Sequence, residues 1–366
     1  MMRRLLFPIA LLLLALQAAA EPRVVNVYNW SDYIDPATLE DFTKETGIKV
    51  VYDTFDSNEV LETKLLAGKS GYDVVVPSAS FLQRQIQAGI LRKLDKSKLP
   101  NLKYAWALVT TRLATYDPGN EYAVNYMWGT TGIGYNVKAA KELLGGEPLD
   151  SWNIIFKPEL ISKFKDCGIN MLDASEELIP SAMNYLGLDP DSKKPEDIEK
   201  TSALLEKIRP FIKKFNSSEY INSLAGGEIC LTVGWSGDVF QAKKRAIEAA
   251  ENTKQKPVEV DYALPKEGTL MWFDSFAIPK DAEHVEEAHT FINFMLRPEI
   301  AARNSNAMAY ANGNLESQKL IDKDILNNPS VYPPPAVLAK LYTVTSNPQD
   351  LQRVITRVWT RFKTGK

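Results

Sequence analysis

Cysteine and histidine are almost missing from this chain: Cys167, Cys230, His284 and His289 are all that its 366 residues contain. Four such side chains leave little material for a transition-metal centre. With two imidazoles in one segment a Ser-His-Asp arrangement has few candidate bases, and no G-x-S-x-G elbow occurs. The histidines lie five residues apart in a Glu-rich helical stretch, a spacing that turns the second ring away from the face of the first, so both are expected on the solvated surface. A phosphate loop is missing too. The run Gly129-Thr130-Thr131-Gly132-Ile133-Gly134 lacks G-x-G-x-x-G spacing and no helix pattern follows it, so it reads as a crossing strand. Nothing implies a cofactor. Positive charge is not in excess: 43 Lys and Arg face 46 Asp and Glu, a net of −3, which makes nucleic acid a poor partner. The basic cluster Lys243-Lys244-Arg245 reads as a solvated helix face. Internal repeats, low-complexity tracts and linkers rich in Pro, Gly or Ser are lacking. What remains, 45% hydrophobic and 24% charged residues, fits two packed lobes and neither disorder nor a membrane bundle.

The longest apolar stretch, Leu5 to Leu16, is about twelve residues, short of the roughly twenty that a membrane span needs. Preceded by Arg3 and Arg4 and followed by Ala18 and Ala20 at A-x-A spacing, it marks residues 1–20 as a signal peptide. Loss of the two arginines would take the net charge from −3 to −5. No Cys near the cleavage point could accept lipid, which favours a periplasm. In an oxidising compartment the even pair Cys167 and Cys230 invites a disulfide, closing a loop of about 60 residues with at most roughly 4 kcal/mol of stabilisation.

From Val24 the texture alternates. Val24 to Tyr28, Ile48 to Tyr52 and Tyr72 to Val76 read as strands, with helices opening at Pro36, through Val60 to Leu66, and from a capping box at Ser80 and Gln83. This β-α-β-α-β order predicts an α/β fold, with parallel-type central sheets and helices on both faces. Strands recur at Ile169 to Leu172, Ile229 to Val233, Val258 to Leu264 and Ser275 to Pro279. Ala288 to Leu296 reads as a helix, and the stretch from Ser305 as mostly helical. The missing linker predicts lobes that the chain crosses more than once: 21–129 with 254–305 as lobe 1, and 130–253 with 306–366 as lobe 2, joined by hinge strands.

Four turn segments set an aromatic ring or an acid pair at a strand end: Trp30-Ser31-Asp32-Tyr33, Asp173-Ala174-Ser175-Glu176-Glu177, Trp235-Ser236-Gly237-Asp238 and Trp272-Phe273-Asp274. In open α/β sheets ligands sit beyond the carboxyl ends of the strands. Carboxylates pair with an ammonium group, and aromatic faces hold it by cation–π attraction while packing on methylenes. One such segment is ordinarily a core aromatic beside a solvated acid; four together point to a cationic ligand with an aliphatic stem.

Val27-Tyr28-Asn29-Trp30-Ser31-Asp32-Tyr33-Ile34, Val74-Val75-Val76-Pro77-Ser78-Ala79-Ser80-Phe81-Leu82, Gly234-Trp235-Ser236-Gly237-Asp238 and Trp272-Phe273-Asp274 resemble the periplasmic polyamine-binding proteins that serve ABC importers, and the resemblance covers essentially the whole mature chain. The resemblance implies a two-lobed periplasmic binding protein of type II that closes on its ligand, delivers it to a membrane permease and acts as a monomer. Residue by residue, it implies that Trp30, Ser31, Asp32, Tyr33 and Ser78 form one wall, that Glu177, Trp235 and Asp238 face them, and that Asp274, Trp272 and Tyr310, the last from a third crossing, complete the site. Glu176, next to Glu177, is the competing choice in its loop. In the family the pair matching Cys167 and Cys230 can form a disulfide. Trp at 272 goes with spermidine preference there, whereas Asp32 and Ser80 look like putrescine-type members, so the expectation leans to spermidine with putrescine as the other ligand. Two further classes stay open: a polyamine sensor for a membrane signalling partner, and an enzyme acting on a polyamine or sugar with Asp238 and Asp274 as acid and base.

Overall fold

The computed structural model describes residues 23–365, so the expected signal peptide lies outside the described residues. Among those described, no helix is long and apolar enough to cross a membrane. Eleven strands form the frame: β1 Val24–Trp30, β2 Lys49–Phe55, β3 Val74–Val75, β4 Leu91–Arg92, β5 Ala123–Asn136, β6 Ile169–Met171, β7 Lys214–Phe215, β8 Leu231–Trp235, β9 Val260–Ala263, β10 Met271–Pro279 and β11 Ala311–Asn312. They join in the order β2-β1-β3-β10-β5-β8-β6-β7, with β4 on β10, and β9 and β11 on β5.

The alternation read from the sequence produces the two ends of this sheet. β1 is parallel to β2 and β3, and β6 is parallel to β7 and β8. The centre departs from the parallel expectation. β5 and β10 are antiparallel to each other and to the strands on either side. β5 has 14 residues, enough at about 3.3 Å each to serve two sheets. Its first part pairs with β10 from Ala123 to Thr130, and its second with β8 from Thr131 to Tyr135. The run Gly129–Gly134 is thus the crossing strand that its glycine spacing suggested.

Two sets of buried side chains flank this crossing. The second lobe's core gathers Ile133, Phe156, Leu178, Val233 and Tyr262 with Leu351 to Phe362 of the C-terminal helix Gln349–Thr364. The first lobe takes Val25, Val27, Phe42, Val74, Phe276 and Phe291, with Val331 further along. The expected lobe limits therefore shift at two places. Residues 260–263 belong with the second lobe, because β9 pairs with Ile133–Asn136. Residues 306–341 belong with the first, where β11 pairs with Trp128 and Met127 and Trp106 N–H donates to Gly313 O. The chain crosses back near Leu270 and Tyr342, which form a parallel bridge. About half of the segment after Ser305 is helical, in short turns and one long helix, the last.

Local chemistry explains most boundaries. Asp35 caps the helix Pro36–Thr46 by accepting from Ala37 N–H, Pro36 fits its first turn, and Gly47 at φ 69° ends it. The helix after β3 starts at Ala79 with Ser78 as N-cap, two residues before the expected Ser80. His289, expected in solvent, is buried: its Nε2 accepts from Asp95 N–H at 2.9 Å, satisfying the start of a short helical turn. His284 is half-buried against Asp73. Cys167 and Cys230 are bonded to each other, 63 positions apart with Cα atoms 5.7 Å apart.

Candidate functional site

Where β1, β3 and β8 end and the antiparallel β10 begins, the lobes face each other across a cleft with about 550 Å³ of space not filled by protein atoms. All eleven residues singled out from the sequence line it: Trp30, Ser31, Asp32, Tyr33, Ser78, Glu177, Trp235, Asp238, Trp272, Asp274 and Tyr310. Sequence reasoning missed Phe55, Asp56, Asn58, Ser217, Ser218 and Ile221, and weighed but did not choose Glu176. Asp56 was findable, because it follows β2 as Asp32 follows β1. Asn58 carried no signal.

Asp274 owes its direction to a β-bulge. The register of β10 on β5 slips between Asp274 and Ser275, and Asn125 fills the irregularity by donating to Asp274 O and Met127 O. A bulge re-aims a side chain, and here it turns the carboxyl onto Ser78, whose hydroxyl donates to it at 2.5 Å. Ser78 Oγ in turn accepts from Asn58 Nδ2 at 3.1 Å. Its hydroxyl makes no capping bond to its own helix.

Asp238 lies in the first turn of the helix Ser236–Thr253. It accepts from Tyr220 at 2.9 Å within its own lobe and from Tyr310 at 2.6 Å across the cleft. Tyr310 lies between the helix Pro298–Met308 and β11 in the first lobe, rather than at the third crossing, which runs nearer Tyr342. Gly237 makes that reach feasible: a Cβ there would stand 2.5 Å from the Tyr310 ring. Glu177 opens the helix Ser175–Tyr185 and accepts from the Thr131 hydroxyl on β5.

Burial pushes the carboxyls of Glu177, Asp238 and Asp274 up to about 7, against ordinary values of 4.5, 3.8 and 3.8. Hydrogen bonds from Thr131, from Tyr310 and Tyr220, and from Ser78 respectively act the other way. Glu176 is raised well above its ordinary value by burial and by Glu59 and Glu177 nearby. The cleft lining holds six acids, Asp32, Asp56, Glu176, Glu177, Asp238 and Asp274, and no Lys or Arg.

Asp32 is different. It sits exposed in the turn at φ 51° and pairs with Arg245 Nη2 at 2.7 Å, from the facing lobe. Arg245 is held by Asn222 Oδ1, so the cluster read as a solvated helix face contributes one link between the lobes. The aromatic walls also meet: Trp30 and Trp235 are edge-to-face at 5.9 Å across the cleft, and Trp272 stands edge-to-face on Tyr310 at 5.3 Å. Among the described residues no cluster of His, Cys, Asp and Glu could hold a metal ion.

Residues 37–332 match the family model of bacterial extracellular solute-binding proteins. The chain is 53% identical over 349 residues to the putrescine-binding periplasmic protein SpuD of Pseudomonas aeruginosa, covering 95% of this chain and 94% of that one. It is 50% identical to the putrescine-binding periplasmic protein PotF of Escherichia coli, covering 95% and 93%. The spermidine/putrescine ABC transporter substrate-binding protein PotD of Streptococcus pneumoniae is 30% identical and superposes with a TM-score of 0.74, over 93% of this chain and 99% of that one.

Proposed function

This chain belongs to the bacterial extracellular solute-binding proteins, a family of binding proteins and not enzymes, and we propose that it captures a polyamine in the cleft between its lobes for an ABC importer. The observation that carries this is the cleft lining: six acids without a Lys or Arg, walled by Trp30, Trp235 and Trp272. Asp32 has Arg245 as its counter-ion, but Glu177, Asp238 and Asp274 are buried with no ion-pair partner among the described residues, and carboxyls so placed call for a cation from outside. Tryptophan faces suit both ammonium groups and the methylenes between them. Glu177, Asp238 and Asp274 would take the amino groups, and Ser78, Tyr220 and Tyr310 would orient the two aspartates. Asp32, expected as a ligand group, would act instead by drawing the lobes together through Arg245.

Putrescine is the better-supported ligand. The relatives named for putrescine are 53% and 50% identical, whereas the structure named for spermidine and putrescine is 30% identical. The lean to spermidine rested on Trp272 alone and does not outweigh this. Export to the periplasm and delivery to a membrane permease follow from the same reading.

Calorimetry of ligand-stripped protein against putrescine, cadaverine, spermidine and spermine tests it. Putrescine should bind most tightly, with no product formed on incubation. Absence of binding to all four amines would end the polyamine reading.

A further inference from the structure

We infer that Gly129, a residue with no group to offer a ligand, sets the length of ligand that the cleft accepts by fixing the position of Trp272. This rests on the polyamine reading above. Gly129 lies on β5 opposite Trp272 on β10 in the antiparallel register. A Cβ built on Gly129 would stand 2.6 Å from Cζ2 and 2.8 Å from Cη2 of the indole, and 3.0 Å from Ser236 Oγ. Those distances are well inside van der Waals contact, so the benzo edge of Trp272 lies on bare backbone. The glycine is not there for its own conformation, because its φ is not in the left-handed region. Alanine can adopt the same strand geometry, and in a strand interior it costs the backbone no more than glycine.

An indole is rigid and cannot fold away from a methyl group. On one side it meets Tyr310 edge-to-face at 5.3 Å, itself buried and hydrogen-bonded to Asp238. Another side lines the cleft. A methyl at 129 therefore drives the ring toward the space that holds the ligand. Overpacking of this kind typically costs a few kcal/mol when the neighbours cannot yield; here the cleft yields, and the cost appears in binding. A triamine needs more of the slot than a diamine, so it loses more.

The test is a cycle of four proteins, wild type, Gly129→Ala, Trp272→Phe and the double variant, titrated calorimetrically with putrescine and spermidine. Phenylalanine lacks the ring that carries Cζ2 and Cη2, which removes the clash. Gly129→Ala should weaken spermidine by about tenfold or more and putrescine by less than about threefold. In the double variant the alanine should have no further effect beyond that of Trp272→Phe. Equal losses for both amines, or the same loss from alanine with Phe at 272 as with Trp, would overturn the inference and leave Gly129 a structural residue. If Gly129→Ala does not fold, the double variant must fold and bind as Trp272→Phe does; its failure too would overturn the inference. A wild type that binds neither amine overturns the polyamine reading itself, whereas wild-type binding with Gly129→Ala unchanged overturns only the role given to Gly129.

Discussion

Burial disfavours the charge of Asp274 and Asp238 and raises both carboxyls to about 7. A bound diammonium ligand reverses that preference, since each acid must ionise to pair with it. Binding should therefore release protons, and affinity for putrescine should rise between about pH 5 and 8, by up to about tenfold per unit for each acid that ionises. Calorimetry in buffers of different ionisation enthalpy would show the release; a pH-independent affinity would remove these acids from the binding step. The empty protein should behave in the opposite way. The folded-state values of Glu177, Asp238 and Asp274 lie above the ordinary 4.5, 3.8 and 3.8, so the native state holds more protons than the unfolded chain between those values and about 7. These groups then make the ligand-free protein less stable as pH rises through that window. Thermal melting with and without putrescine from pH 4 to 8 would reveal the crossover. Asp238→Asn and Asp274→Asn should each weaken putrescine by about 2 to 5 kcal/mol, the usual cost of breaking a buried charged pair, and an affinity within about twofold of wild type for both would refute the assignment.

At the scale of elements, the sequence disclosed which segments end at the cleft better than it disclosed how they are held there. Trp30 to Tyr33, Ser78 and Trp235 to Asp238 could be read because a hydrophobic strand followed by a polar turn is a strong local pattern; Trp272 to Asp274, read as a turn after a strand, lie instead within β10 near its start. The bulge between Asp274 and Ser275 could not, since it depends on Asn125 from a strand distant in sequence. The capping box at Ser80 misled for a related reason: the true N-cap, Ser78, spends its hydroxyl on Asp274. Ser78→Ala should then leave the helix nearly unaffected and push the Asp274 carboxyl further up, weakening putrescine most at low pH. The pH dependence of calorimetric affinity would detect that change, and an unaltered profile would show that Ser78 does not act through Asp274. The disulfide closes the second lobe alone, joining Cys167 to Cys230. Replacing both by Ser should lower unfolding free energy by at most roughly 4 kcal/mol without changing affinity much, which urea unfolding and titration would separate.

For the whole molecule, the existence of two lobes was legible from the missing linker, but their limits were not. The crossing segments are short and irregular, residues 264–270 with a turn at 266–267 and residues 342–348 without a regular element after the bridge at Tyr342, so they look like ordinary loops. Histidine burial was equally out of reach, because the partner of His289 is a backbone N–H nearly two hundred positions away.

The hydrogen bond from Tyr310 to Asp238 links the site to the motion of the lobes. Donor and acceptor sit on opposite lobes, so a parting of the lobes would break the bond. Asp238 would then lose its donor and gain water together, and its grip on an ammonium group would weaken by the same displacement that opened the exit. Holding and letting go are then two readings of one mechanical coordinate. A transporter that prises the lobes apart would need no competing chemistry to discharge the cargo.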